Sequence, residues 1–540
     1  VSELKKRGIV QRSYDNLWSE SKRTKSLLKF FSSEELRNAA SGAPSPGEHR
    51  IAYKPAQLIG LILGPLLFVL ALMFIDSVSL DSSGVFVVAA ALWIATWWVT
   101  EAIPIPATSL LPLVLFPMGG VMTNQDAASF YGNDIIFLFL GGFLLAVAME
   151  KWNLHTRIAL SIIKAIGTTT ATILLGFMIS TALLSMFVSN TAAVMIMIPI
   201  GLAIIKEAHS LSTPELQRDV KLFEKALVLG IGYAGTIGGL GTLIGTPPLI
   251  ILAGQMKEIF DYEMNFATWM LVGIPVVIVL LAIAWAYMNF FSFKHGMREL
   301  PGGRKIITDE LDKLGKTTRE EKWVLAVFIL AALLWIMRGF FFDQFAFTEM
   351  LGDGSIAMFA AVLLFIIPSK KQNGRVLDWS VSRDLPWGVL LLFGGGLALA
   401  GAIVATGVDK WIGEMLSGVS GMPIVLMIAI VAILILFLTE FTSNTATATM
   451  ILPVLAGLAM ALDVHPLALM APAAMAANCA FMLPVGTPPN AIVFGTNKVS
   501  ITEMVKTGFG LNVIATVIII VVVYFWVPVV FGVDLHTFPF

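Results

Sequence analysis

Charge is scarce in this chain, and so is cysteine. Of its 540 residues only 13% are charged, about half of the roughly 25% usual in soluble domains. An ordinary water-soluble fold is excluded. The single cysteine, Cys479, rules out internal disulfides and any cysteine-rich metal centre. The six histidines are scattered, with no HExxH-type pair. No Walker A loop is present either. The stretch "GGLGTLIGTPP" from Gly238 lacks the lysine that such a loop places on phosphates, so ATP is not the expected energy source. Acidic and basic residues are mixed and sum to a net charge of −1, which gives no nucleic-acid signature.

What is abundant is apolar surface. Hydrophobic residues make up 57% of the chain, and the mean hydropathy is +0.85. Runs such as "LIGLILGPLLFVLALMFI" from Leu58, "VGIPVVIVLLAIAWAYM" from Val272 and "LNVIATVIIIVVVYFWVPVVF" from Leu511 reach the roughly 20 residues a helix needs to cross the hydrocarbon core. Lipid-facing strands would leave backbone groups unpaired. The expected fold class is therefore an all-α polytopic membrane protein embedded in a lipid bilayer. Its spans start near Leu58, Val85, Ile103, Ile135, Ala226, Thr268, Trp323, Ser355, Trp387, Pro466 and Leu511. Two long apolar segments with polar centres remain, about 168–207 and 422–460.

The loop charges set the expected orientation. Residues 1–56 form a basic leading segment, too long for a cleaved signal. By the positive-inside rule this segment is cytoplasmic. Within it, "SLLKFFSSEEL" reads either as an amphipathic surface helix or as a solvated tail. The connections "DSVSLDSS" and "TNQDAASFYGND" then fall outside and carry no Lys or Arg, whereas the basic stretches 293–322 and 368–385 fall inside. This pattern holds if the two leftover segments are re-entrant hairpins, which gives eleven transmembrane helices plus two hairpins. The membrane is expected to be the plasma (inner) membrane, with the C-terminus extracellular.

The sequence also repeats. "FLGGFLLA" from Phe139 matches "LFGGGLALA" from Leu392, with Gly141 and Gly142 opposite Gly394 and Gly395. Ser189, Asn190 and Thr191 correspond to Ser443, Asn444 and Thr445, and "IGTPPLI" from Ile244 answers "VGTPPNAI" from Val485. Five residues before each triplet Asn stands a hydroxyl, Ser185 or Thr439, and nine beyond stands Pro199 or Pro453. The first half has a longer gap between triplet and GTPP, and its extra residues fall in the charged stretch 206–225, read as a loop. Five spans and a hairpin per half turn the second copy over. The expected divisions are 57–84 as the first helix, 85–292 and 323–540 as two inverted repeats, and 293–322 as a cytoplasmic linker, the layout of many secondary transporters.

Polar residues at membrane depth need a purpose. Ser, Asn and Thr are strong N-caps, so each triplet is expected to cap the second arm of its hairpin and aim free amides at the turn. GTPP interrupts a helix, because glycine permits unusual dihedrals and proline lacks a donor. Such a surface of amides, hydroxyls and carbonyls suits a small oxyanion, hard cations, or both. A helix end contributes up to ~2 kcal/mol toward a negative charge, while two uncompensated charges moved through 100 mV cost roughly 4.6 kcal/mol. A dianion therefore needs a companion cation, a proton or an exchange partner.

These paired motifs, together with "FLTEFTSNTATATMILP" and "FLGGFLLAVAMEKWNLHTRIAL", resemble the divalent anion:sodium symporter family of INDY-type dicarboxylate transporters, over nearly all of the chain from about residue 57. The resemblance implies a homodimer that carries succinate-, malate- or 2-oxoglutarate-like substrates by an elevator movement, with no cofactor beyond sodium as a coupling ion. It implies substrate contacts at Asn190, Thr191, Asn444 and Thr445, completed by Thr246, Pro247, Thr487 and Pro488. It also implies one cation site at Ser185, Ser189, Asn190 and loop backbone near Gly241, and another at Thr439, Asn444 and backbone near Val485. The chain departs from the family pattern where Leu249 replaces the Asn that Asn490 keeps after TPP, and where "AAVM" stands against the oxygen-bearing "ATAT" of Thr447 and Thr449. Hard cations want several oxygens, so sodium symport and sodium-independent exchange both stay open.

Other readings are a transporter of citrate, sulfate or another oxyanion, a passive anion channel, and an intramembrane enzyme. The last would need a nucleophile–base pair or metal cluster that the sequence does not show. Glu440, beside the second triplet, is expected to satisfy backbone rather than bind a dianion it would repel. Glu101 and Glu150 fit span ends, Trp93, Trp97 and Trp98 fit packing or a membrane belt, and Cys479 fits a buried small apolar residue.

Overall fold

The computed structural model describes residues 55–75, 80–167, 169–301, 303–340, 352–370, 374–415 and 421–540. The basic leading segment and its stretch 26–36 lie outside the described residues. The described residues are helical apart from connections, a two-residue antiparallel ribbon, Pro368–Ser369 with Gly374–Arg375, and a single antiparallel bridge between Thr169 and Glu299. Among the described residues, nine helices are long and apolar enough to cross a membrane. Contacts group Tyr53–Phe494 with Lys498–Phe540 in one unit; Gly495–Asn497 belongs to the other, where the Asn497 side chain donates to the Gly495 carbonyl (3.0 Å).

The same element order occurs twice. Helix Asp134–Lys151 is followed by the short amphipathic Leu154–Ile166, the pair Thr170–Ser185 and Asn190–Leu211, the interrupted Gln217–Gly238 and Pro247–Phe260, and the long Phe266–Ala286. Helix Trp387–Ala405 opens the second series: Val408–Met415, the pair Ile424–Thr439 and Asn444–Ala461, the interrupted Leu467–Asn478 and Pro488–Gly495, and Ile501–Val521. Local details match too. Each amphipathic helix is entered through a left-handed residue, Asn153 (φ 56°) or Gly407 (φ 69°). Each final helix continues into a π-helical segment, Tyr287–Ser292 or Val522–Trp526. The helix starts follow their capping residues, as when Asn265 accepts from Thr268 N (2.7 Å) and Asp81 from Gly84 N (2.7 Å).

Both polar-centred segments are helix pairs that break at their triplets, after Ser185 and after Thr439. The charged stretch 206–225 is not the loop expected from the sequence. Helix Asn190–Leu211 runs through its first part, Gln217–Gly238 begins in the second, and only residues 212–216 connect them. Its Lys, Glu and Leu are good helix formers. Its polar groups bond along one face, with His209 Nδ1 to Gln217 Oε1 (3.1 Å) and Lys498 Nζ on Glu224 Oε1 (2.6 Å).

The two series pack across one another. Helix Asp134–Lys151 lies against Asp353–Ile366, and Trp387–Ala405 lies against Ile105–Met118. Glycine makes both approaches close. A Cβ on Gly141 would stand 2.5 Å from the Ala357 backbone, and one on Gly395 2.4 Å from the Ser109 carbonyl oxygen. Trp98 is buried there and donates to Ser109 Oγ (3.0 Å), while Trp97 donates to the Gly60 carbonyl (2.9 Å). These two rings hold the fold together rather than line a ligand. Glu101 and Glu150 are exposed at helix ends, and Cys479 is buried. The outermost helix, Pro55–Phe74, exposes Ile62, Met73 and Phe74, as a lipid-facing helix does.

Candidate functional site

The first helix pair turns at Ser185–Asn190. Ser189 is the N-cap of Asn190–Leu211, its side chain accepting from Ala192 N (3.2 Å). Ser185 is fully buried and donates to the Gly235 carbonyl (2.5 Å), on the neighbouring interrupted helix. It also meets Asn190 Oδ1 at 2.6 Å. The interruption after Gly238 is two tight turns, Gly239–Gly241 and Leu243–Gly245, and the helix resumes at Pro247 after extended Thr246 (φ −147°). A Cβ on Gly239 would stand 2.5 Å from Asn190 Oδ1 and would displace that amide.

The second half repeats the buried hydroxyl and its two bonds. Thr439, also fully buried, reaches Asn444 Oδ1 (2.5 Å) and donates to the Ala477 carbonyl (2.9 Å) of its own interrupted helix. One expectation fails at Ser443. It occupies the N-cap position of Asn444–Ala461 but makes no side-chain cap bond. Thr442 and Thr447 instead join hydroxyls (2.6 Å), and Thr449 donates to the Thr445 carbonyl (2.8 Å). Extra threonines give this turn side-chain bonds that the first half, with alanines, cannot make.

Glu440 takes the structural part. Its Oε1 accepts from Phe481 N (2.9 Å), Met482 N (3.0 Å) and Asn512 Nδ2 (2.8 Å), and its Oε2 from Leu483 N (3.0 Å). The carboxylate thus ties down the unwound stretch that leads to the second GTPP. Met186 holds the corresponding place in the first half. Asn490 serves the same stretch, donating to the Ala480 and Leu483 carbonyls (both 3.0 Å). Leu249, its counterpart, is a fully buried apolar contact.

The two turns meet through consecutive residues, Ala477 and Asn478. The Ala477 carbonyl accepts from Thr439 of the second turn. Asn478 reaches into the first half: its Nδ2 donates to the Thr236 carbonyl (2.6 Å), and its Oδ1 accepts from Thr246 Oγ1 (2.7 Å) and Asn190 Nδ2 (3.2 Å). Asn478 escapes sequence reasoning because its counterpart in the repeat is Thr236, so aligning the halves passes over it. A fully buried asparagine inside an alanine-rich helix is the signal that would find it.

Around this junction the inventory is neutral except for Glu440. Asn190, Thr191, Pro247, Asn444 and Thr445 are half-buried, Ser189, Val485 and Pro488 are exposed, and Thr246 and Thr487 are buried. Among the described residues the Thr191 and Thr445 hydroxyls and Asn444 Nδ2 bond to no protein acceptor, and Thr487 Oγ1 is buried without a partner. The Gly241 carbonyl lies against Gly273, which could not carry a Cβ there. The backbone oxygens that do approach the Asn190 amide are those of Gly235 and Gly245, each at 3.2 Å. No cluster of His, Cys, Asp or Glu fit for a metal exists among the described residues. A cation at these turns would be held by hydroxyl, amide and carbonyl oxygens, the donor set of a hard monovalent ion. The arrangement can therefore offer hydrogen-bond donors to an anion and oxygens to cations side by side.

Three comparisons bear on this geometry. Residues 56–533 match the model of the sodium:sulfate symporter transmembrane region. The chain is 60% identical over 486 residues to the sodium-dependent dicarboxylate transporter SdcS of Staphylococcus saprophyticus, covering 89% of this chain and 94% of that one. It is 59% identical over 495 residues to SdcS of Staphylococcus aureus strain USA300, covering 91% and 95%. Among solved structures, the Alcanivorax borkumensis YdaH transporter is similar in fold, with a TM-score of 0.52 at 12% identity over 77% of this chain and 89% of that one.

Proposed function

This chain belongs to the divalent anion:sodium symporter family, whose model is that of the sodium:sulfate symporter transmembrane region, and on that premise we propose that it moves C4–C5 dicarboxylates such as succinate across the membrane together with sodium. The protein is a transporter, not an enzyme, and an integral multi-pass membrane protein. One observation carries the reading. The turns of both helix pairs are joined through Ala477–Asn478 and leave uncommitted donors on Asn444, Thr445 and Thr191.

A dicarboxylate brings four acceptor oxygens. Asn444 Nδ2 and the Thr445 and Thr191 hydroxyls supply side-chain donors, and the helix starts at Asn190 and Asn444 supply free amides and the positive dipole end. Thr246, Pro247, Thr487 and Pro488 border the same junction. The oxygens of Ser185 and Asn190, and of Thr439 and Asn444, hold sodium, whose charge offsets the dianion. Glu440 is turned into backbone amides, which keeps its charge off the guest. The names of the SdcS relatives support sodium coupling over the exchange that Leu249 left open. We read 85–292 and 323–540 as inverted copies with re-entrant hairpins, the N-terminus cytoplasmic and the C-terminus extracellular. The elevator movement and the homodimer rest on family membership.

Uptake of labelled succinate into proteoliposomes tests this. Accumulation should require an inward sodium gradient, and Asn444→Ala or Thr445→Ala should abolish it without loss of folded protein. Normal uptake by either variant would refute the site. The family description also makes sulfate a second candidate. Suppression of uptake by excess sulfate, but not by excess malate, would favour it.

A further inference from the structure

We propose that Asn478 is a positioning residue that sets the orientation of the Asn190 amide and thereby the sodium affinity of the first half; this deepens the sodium-coupled reading and rests on it. Asn190 sits among groups that accept both orientations of its amide. With the oxygen inward, Oδ1 lies 2.6 Å from Ser185 Oγ and 3.2 Å from each of the Gly235 and Gly245 carbonyl oxygens. Four oxygens then converge with the single Ser185 hydroxyl hydrogen among them, a set short of donors that suits a cation. With the nitrogen inward, Nδ2 donates to Ser185 Oγ and to both carbonyls. The protein then satisfies itself and the cation loses a ligand. These two states compete for the same space.

Asn478 decides between them. Its own amide is fixed, because Nδ2 donates to the Thr236 carbonyl (2.6 Å) and Oδ1 takes the Thr246 hydroxyl (2.7 Å). It therefore presents an acceptor to Asn190. In the oxygen-inward state Asn190 Nδ2 donates to that acceptor at 3.2 Å. In the other state two amide oxygens face each other across the same 3.2 Å. Asn478 thus favours the cation-ready orientation before sodium arrives. The second half has no such device, since Thr236 occupies the corresponding position and sends no side chain to Asn444. The side chain that prepares the first cation site belongs to the other repeat, so the sodium response of one half depends on how the halves are docked.

The test is a sodium titration of succinate uptake at saturating succinate, paired with sodium-dependent thermal stabilisation of the purified full chain without substrate. Asn478→Ala should raise the half-saturating sodium concentration roughly three- to tenfold, the equivalent of one net hydrogen bond. The loss should appear equally in the sodium-dependent stabilisation, which reads binding without transport. Asn478→Asp, fully buried and so held protonated, keeps a donor for the Thr236 carbonyl and the acceptor for Asn190, and should keep sodium affinity near the wild-type level. If Asn478→Ala does not fold, the aspartate variant decides alone: weakened sodium affinity there overturns the proposal. Unchanged sodium response in Asn478→Ala also overturns it, as does a loss confined to the maximal rate. Wild-type protein indifferent to sodium in both assays would instead refute the sodium-coupled reading itself.

Discussion

Glu440 spends its charge on backbone. Three consecutive amides, Phe481 to Leu483, point at one carboxylate, with Asn512 closing the ring. In Glu440→Gln an amide nitrogen would face backbone donors, leaving at least one buried N–H unpaired at about 1–3 kcal/mol. The variant should show a lowered thermal midpoint and weaker succinate binding, both measurable on purified protein. The sequence made Glu440 visible as a carboxylate at depth, and like-charge repulsion with a dianion argued for a structural use. The partners of that carboxylate were not legible, because three of its four are main-chain amides that any residue would supply. Asn190, Thr191, Asn444 and Thr445 stood out as candidates for a different reason: a polar triplet occurs twice in apolar surroundings. Ser443 shows the limit of that logic, since the same residue type at the same position caps in one half and not in the other.

At the level of elements, the triplets and the TPP prolines placed the breaks well, since capping and loss of a donor are local effects. The stretch 206–225 was misread because charge alone does not distinguish a loop from the polar face of a helix. Connections carry their own chemistry. His465, between the second helix pair and Leu467–Asn478, is 1% exposed and accepts from Leu467 N at Nδ1 (3.2 Å). Burial lowers its imidazole to about 4 from the ordinary 6.5, with Asp534 opposing the shift. Between those values the unfolded chain binds more protons than the folded one, so stability is full above about pH 6.5 and declines as the pH falls toward 4. The contribution at stake is on the order of 3 kcal/mol. Thermal midpoints should drop through this window in the wild type, and less so in His465→Asn, which retains an acceptor.

For the whole molecule, the repeat was legible in its landmarks, but the way the copies embrace was not. Nothing local in "FLGGFLLA" says that Gly141 will meet Ala357, far along the chain. The contact nevertheless discriminates between two adjacent glycines. Gly141→Leu places side chain where Ala357 backbone stands and should prevent stable folding, seen as loss of monodisperse protein in detergent. Gly142→Ala meets its nearest neighbour, Ile244, only at 3.5 Å and should purify and transport normally.

That mutual seating also dictates an order of events during synthesis. When the ribosome has finished Asp134–Lys151, the surface that will cover its glycines has not yet been translated, and Ile105–Met118 waits still longer for Trp387–Ala405. The nascent first half therefore waits with the Gly141 face of one helix and the Ser109 surface of the other uncovered. A chain interrupted within 293–322 leaves both uncovered.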